Sequence, residues 1–272
     1  MAQKTHPIGL RLGVSHTWDS SWYPNRDEGN HYSELLHKDL ELRRLIQHFV
    51  EEKHQGLLGS VHIQNTWVGH KGTPVETSSG TLDDTKMNVN PNQTFVVHLR
   101  VHSLGKDAIP WNTLNDWMHQ FLPEHQFLLF VEDFNATERS SVLWSSLQDE
   151  FKMIQQRGIQ IQPLLSAFHA SVISGRSQFI NRALVTQLQR TPMHTSVLDL
   201  ADKIVASLHE KKVFRGMRIQ MKGRLNGADR SRTEMIQHGQ IPLQSLKAKI
   251  DYSTGEFFTP FGMSSLKVWI LL

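Results

Sequence analysis

Residues Met217 to Arg232 read MRIQMKGRLNGADRSR, and their first half sets the period of the structure around them. Met217, Ile219 and Met221 alternate with Arg218, Gln220 and Lys222. Side chains alternate across a strand, so this segment is predicted to bury three apolar groups on one face and to present two cations and an amide on the other. The second half, Gly223 to Arg232, carries Arg224, Arg230 and Arg232 with Asn226 and the glycines Gly223 and Gly227. Phosphate recognition needs cations and close backbone approach, and this composition supplies both. The same residues also describe a solvated turn with ordinary surface arginines.

Beyond this segment, Gly239, Pro242, Gly255, Pro260 and Gly262 separate further short strands, ending in the apolar Val268 to Leu272. Before it, Val197, Leu198, Leu200, Ala201, Ile204, Val205 and Leu208 form a helical stripe, with Asp199 and Asp202 early and Lys211 and Lys212 late, as the helix dipole favours. Gln178 to Gln189 and Ser140 to Gln156 are also expected to be helical, joined by a Gly- and Ser-punctuated connector around Gly158 to Gly175. In the first half, Tyr32 to His54 has the apolar spacing of an amphipathic helix, and Val61, Ile63 and Phe95 to Val101 read as strands. Leu114, Trp117, Met118, Phe121 and Leu122 share a helical face after Pro110, and Phe127 to Val131 follows as a short apolar strand. The polar stretch Thr66 to Gln93 reads as an exposed insertion. The expected fold class is α+β, in two units, the second with a mostly antiparallel sheet.

Composition narrows the function. The chain has 272 residues and a formal charge of +3, but Lys203 to Lys249 holds eleven Lys or Arg against three Asp or Glu. Asp107 to Glu150 has eight acids against the single Arg139. Cationic charge gathered at one end makes a polyanion, and so nucleic acid, the leading partner. No apolar run approaches the roughly 18 residues that would span a bilayer, so no membrane partner is expected. Met1 to Gly13 lacks the apolar stretch of a signal peptide.

The absence of cysteine excludes thiol chemistry, thiolate zinc sites and disulfides. The sixteen histidines are scattered, with no HExxH, and there is no Walker loop, GxSxG or dinucleotide fingerprint. No metal, cofactor or catalytic residue is assigned. A histidine-metal hydrolase and a free RNA-binding regulator are the rival readings. Gly69 to Gly72 has the outline of a glycine clamp, although it lies in the polar insertion and not between helices. Trp18 and Trp22 fall in a segment of little periodicity and suit either anchoring to a partner or another domain or packing in the core.

Ordered blocks of residues resemble a known family. Gln3 and Lys4, Pro7 to Gly9, Arg11 to Gly13, and Trp18 to Ser20 with Trp22 and Tyr23 are similar to the N-terminal signature of the bacterial-type ribosomal protein S-three family. Gly223 to Asp229, Arg232 to Glu234, Gly239 to Leu243, Leu246 to Tyr252, Gly262 and Lys267 to Ile270 follow its C-terminal blocks in order. The resemblance covers roughly the first 50 and last 70 residues.

It implies a structural, non-catalytic component of the small ribosomal subunit, in the head near the messenger entry site, beside small-subunit proteins ten and fourteen. It also implies an N-terminal extension (1–30), a degenerate type II KH-like α/β domain (31–139, with the insertion 66–93), an insertion or connector (140–177) and a C-terminal α/β domain (178–272). On this reading Lys4 and Arg11 anchor the extension, while Arg218, Lys222, Arg224, Arg230, Arg232, Lys247 and Lys249 neutralise ribosomal RNA phosphates, with Gly223 and Gly227 permitting close approach. Two features depart from the family. The clamp position after the second strand holds only Gly105, and the stretch matching the family's basic helix at the messenger entry, Val197 to Lys203, offers Asp199 and Asp202 with Lys203 alone cationic. Such erosion implies an organellar, mitochondrial member, with a plastid or bacterial origin as the alternative.

Overall fold

The computed structural model describes residues 5–22, 32–67, 93–103, 109–123, 126–134, 161–191 and 193–271. After the short helix α1 (Pro7–Arg11) and the strand β1 (Ser20–Ser21) comes α2 (Tyr32–Gln47), extended by a π-helical turn (His48–Lys53). Then follow β2 (Leu57–Trp67), β3 (Gln93–His102), α3 (Trp111–Phe121) and β4 (Gln126–Asp133). The sheet order is β1-β2-β3-β4, with β2 and β3 antiparallel and both outer pairings parallel. α2 and α3 cover one face, where Leu42, Ile46, Phe49 and Val50 meet Val61, Ile63, Phe95, Val97, Leu114 and Met118. The apolar spacing of Tyr32 to His54 builds this packing. The π-helical turn lets the adjacent Phe49 and Val50 both point inward, and the Lys53 ammonium sits 4.3 Å from the Trp117 ring.

The second unit contains α4 (Ile161–Ser174), α5 (Gln178–Arg190), α6 (His194–Glu210), β5 (Gly216–Gly223), β6 (Arg232–Gly239), β7 (Ile250–Thr259) and β8 (Gly262–Leu271). Its sheet runs β6-β5-β8-β7 and is antiparallel throughout. The three helices cover one face, against Met217, Ile219, Met221, Phe257, Leu266, Val268 and Ile270. The α+β class with an antiparallel C-terminal sheet is therefore as expected.

One element differs from the expectation. The stretch around Gly158 to Gly175, read as a connector, holds the helix α4, and Leu164, Leu165, Ala167, Phe168 and Ala170 are core residues. Ser166 and Ser171 are small buried positions and not linker residues: Ser166 Oγ donates to the Pro163 carbonyl at 2.9 Å, and Ser171 Oγ donates to that of Arg176. Gly175, at φ +70°, ends the helix. A helix buried on most sides lacks the polar stripe that periodicity detects. The expected helix at Ser140 to Gln156, the clamp candidates Gly69 to Gly72 and Gly105, and most of the insertion 66–93 lie outside the described residues.

α5 joins the two units. A β-bulge between Leu58 and Ser60 presents the backbone of Gly59 to the Phe179 ring, and a side chain at position 59 would overlap that ring. His102 and Phe134 meet the same ring edge-on. Arg182 of α5 pairs with Glu51, and burial lowers its pKa to about 10. The buried Asp251 carboxylate accepts from the Ser177 backbone N–H and hydroxyl, each at 2.6 Å, and pairs with Arg176 at 3.4 Å.

Candidate nucleic-acid interface

The face of the second sheet that the helices leave open carries the expected cations. β5 turns Met217, Ile219 and Met221 into the core and Arg218, Gln220 and Lys222 outward. In register beside them stand Gln237, Met235 and Thr233 of β6 and Trp269, Lys267 and Ser265 of β8. Lys222 and Lys267 are exposed. Arg218 is half-buried: its guanidinium lies 5.1 Å from the Trp269 ring centroid, and its Nε is buried without a hydrogen-bond partner. Lys267 was not among the expected site residues, although Leu266 and Val268, buried on either side of it, give the alternation that identifies it.

The turn after β5 is built from within. Asn226 and Gly227 adopt left-handed φ of 53° and 76°. Asn226 Oδ1 accepts from the His194 backbone N–H at 2.7 Å, and its own backbone N–H donates to His194 Nδ1 at 3.1 Å, tying the turn to the first residue of α6. Its amide nitrogen also donates to Thr195 Oγ1 at 3.2 Å. His194 is buried, and that burial lowers its pKa, which keeps Nδ1 available as an acceptor. Arg224 braces the other side, donating through Nε to the Ala228 carbonyl at 2.8 Å and through Nη1 to that of Phe261 at 3.3 Å. Arg230 and Arg232 are exposed.

The geometry gives three of the expected site residues contacts within the chain. Gly223 and Gly227, expected to admit an RNA backbone, stand against Ser264 and Phe261 of the chain itself. A Cβ at position 223 would overlap Ser264, and one at position 227 would lie 3.0 Å from the Phe261 ring in addition to its positive φ. Arg11, expected to anchor the N-terminal extension as one of the RNA-binding set, is wholly buried and bonds to the chain itself. Its Nε donates to Ala248 O at 3.0 Å, Nη1 to Pro7 O at 2.9 Å, and Nη2 to the carbonyls of Pro242, Leu243 and Ser245 at 3.3, 3.0 and 2.7 Å. The guanidinium thus satisfies carbonyls of the 242–248 turn, which covers Trp269, Tyr252, Ile250 and Leu271 with Ile241, Leu243 and Ala248. His16 Nε2 adds a contact to Ile250 O at 2.8 Å.

The exposed Lys247 and Lys249 stand on the turn that Arg11 holds. Lys4 lies outside the described residues. Trp22 is held within the chain, donating to Asp39 at 3.3 Å, whereas Trp18 is 65% exposed. On α6, Asp199, Asp202 and Lys203 are exposed, and Asp202 accepts from or pairs with His238 at 2.7 Å. Among the described residues no three of His, Asp and Glu stand together as a metal-ligand set.

Comparisons with known proteins point the same way as the sheet face. Residues 173–270 match the family model described as Ribosomal protein S3, C-terminal domain. The small ribosomal subunit protein uS3c of Emiliania huxleyi is 26% identical over 270 residues, spanning 99% of this chain and 97% of that one. The small ribosomal subunit protein uS3 of Myxococcus xanthus is also 26% identical, over 99% of this chain and 91% of that one. That of Anaeromyxobacter dehalogenans is 27% identical, over 100% of this chain and 90% of that one.

Proposed function

We propose that this chain is a member of the uS3 family of small ribosomal subunit proteins, that it is a structural constituent of the small ribosomal subunit, and that it holds ribosomal RNA on the cationic surface of its C-terminal unit. The observation that carries this reading is the segregation on β5, apolar side chains inward and Arg218, Gln220 and Lys222 outward, continued by Lys267 on β8. Lys222, Arg224, Arg230, Arg232, Lys247 and Lys249, with Arg218 at the base and Lys4 on the N-terminal extension, neutralise phosphates. Such contacts position RNA without reading its sequence. No reaction is assigned to the chain.

The same reading takes residues 31–139 as a degenerate type II KH-like unit with the insertion 66–93. Residues 178–272 form the RNA-holding unit, to which α4 of the segment 140–177 contributes core residues. It places the protein in the subunit head near the messenger entry, beside small-subunit proteins ten and fourteen, in an organellar or bacterial ribosome, and we favour the mitochondrial one. The absence of a basic surface at Asp199 and Asp202 argues that messenger unwinding is not carried by α6.

The test is the double variant Arg230→Glu, Arg232→Glu, followed by sedimentation of small subunits from cells expressing it. Both side chains are exposed, so folding is expected to survive. Exclusion of the variant from subunits is the expected result; unchanged co-sedimentation would reject the cationic face. A native protein found only in soluble, RNA-free fractions would favour the regulator reading.

A further inference from the structure

At one corner of the open sheet face, aromatic and cationic side chains interleave. Phe258 of β7 stands opposite Met263 of β8, and the two are 68% and 55% exposed. Phe261, in the turn between these strands, is 44% exposed and rests on Gly227. Arg224 reaches the Phe261 carbonyl, and Lys222 and Lys267 rise from the adjoining strands. Neighbouring strands lie about 4.8 Å apart, so Lys222 on β5 is about 10 Å across the sheet from β7, within reach of one extended ligand. Glu256, opposite Ser265, and Asp229 on the turn are the acids set against these cations.

We infer that this corner binds unpaired nucleotides of RNA, with bases stacked on Phe258 and Phe261 and phosphates held by Lys222, Arg224 and Lys267. The inference rests on the ribosomal RNA reading above and adds that part of the bound RNA is single-stranded there. Every base has a flat face that an exposed ring can stack on, and cations beside the ring meet the backbone that the base brings with it. Protein partners are the less suitable occupant, because the centres of protein interfaces are depleted in lysine, whereas here Lys222 and Lys267 stand on the strands beside the rings. Phe258 also lies on an open sheet surface, which leaves room for a base to lie flat.

The test uses the full chain and two labelled probes, an oligoadenylate of about twelve nucleotides and an abasic oligomer of the same length, followed by fluorescence anisotropy. Phe258→Ala is expected to weaken oligoadenylate binding by about 5- to 150-fold while leaving the abasic oligomer unaffected. The double variant Lys222→Gln, Lys267→Gln is expected to weaken both. If Phe258→Ala binds oligoadenylate like the parent while the lysine variant loses both probes, base stacking is overturned and the phosphate reading stands. If neither variant changes either probe, both readings fall. If Phe258→Ala binds RNA normally yet is lost from small subunits, the corner is covered by protein and the inference is rejected. Melting temperatures equal to the parent's confirm that each variant is folded.

Discussion

Phe179 of α5 occupies the volume that any side chain at position 59 of β2 would need. The ring is wholly buried, so it has no solvent side to swing into. Gly59→Ala therefore forces two packed units apart at their junction, and overpacking of this kind costs about 1–3 kcal/mol. Thermal unfolding should fall by several degrees, and Phe179→Leu added to Gly59→Ala should recover part of the loss. Strict additivity of the two substitutions would show that the residues do not share this space.

Arg11 holds the 242–248 turn by donating to the carbonyls of Pro242, Leu243, Ser245 and Ala248, of which those of Pro242 and Ala248 also accept from the backbone N–H groups of Ser245 and Ile250. Arg11→Met keeps the length of the stem and removes every donor, taking this partner from the part-buried carbonyls of Leu243 and Ser245, at up to about 1–3 kcal/mol each before relaxation. The turn is expected to loosen first, seen as faster amide exchange at residues 241–249. RNA binding should weaken as well, because Lys247 and Lys249 lose their platform. Unchanged exchange there would mean that the apolar contacts of Ile241 and Leu243 suffice.

Asn226 combines a left-handed backbone with a link to α6, and two substitutions separate the contributions. Asn226→Ala loses the two side-chain hydrogen bonds and keeps a Cβ at positive φ without the polar group that lets asparagine tolerate it, a strain of up to about 1–2 kcal/mol. Asn226→Gly loses the same bonds but removes the Cβ, and with it the strain. The glycine variant should melt above the alanine variant, and the reverse order would show that the backbone there is not left-handed in solution.

Lys267 was absent from the sequence-based site and stands centrally on the sheet face, opposite Gln220 and Thr254. If it contacts phosphate, Lys267→Gln weakens binding to single-stranded RNA and lowers the slope of log affinity against log salt by about 0.7. A weaker complex with an unchanged slope would place Lys267 away from phosphate.

Acid should destabilise the fold. Burial lowers the pKa of His62, His102, His169 and His194, so each favours its neutral form when folded. The unfolded chain takes up protons as pH drops below about 6.5, so stability is present above that value and is lost as pH falls toward the folded pKa values. Asp133 acts in the opposite sense, because burial raises its pKa and favours its protonated form. Four histidines against one carboxylate give a net loss in the histidine range. The melting temperature should be lower at about pH 5.5 than at about pH 7.5, and a flat profile would reject this account.

The two sheets and most helices were legible from local pattern. Alternation at Met217 to Lys222 and the stripes of Tyr32 to His54 and Val197 to Leu208 report burial within a few residues of chain. α4 was not legible, since a helix enclosed by α5 and the sheet has no polar stripe and its serines resemble those of a linker. Among site residues, the outward direction of Lys222, Arg230 and Arg232 followed from period and turn composition.

The sequence by itself determined which faces are apolar, where cationic charge gathers and which family the blocks resemble, because each of these is written in neighbouring residues. Only the tertiary structure decided what Arg11, Gly223, Gly227 and Asn226 do. Arg11 meets Ala248 across 237 residues, Gly223 makes room for Ser264, Gly227 for Phe261, and Asn226 ties to His194. An arginine or a glycine is the same letter whether it serves water, phosphate or its own chain; the choice is made by which carbonyl or ring long-range packing brings within reach.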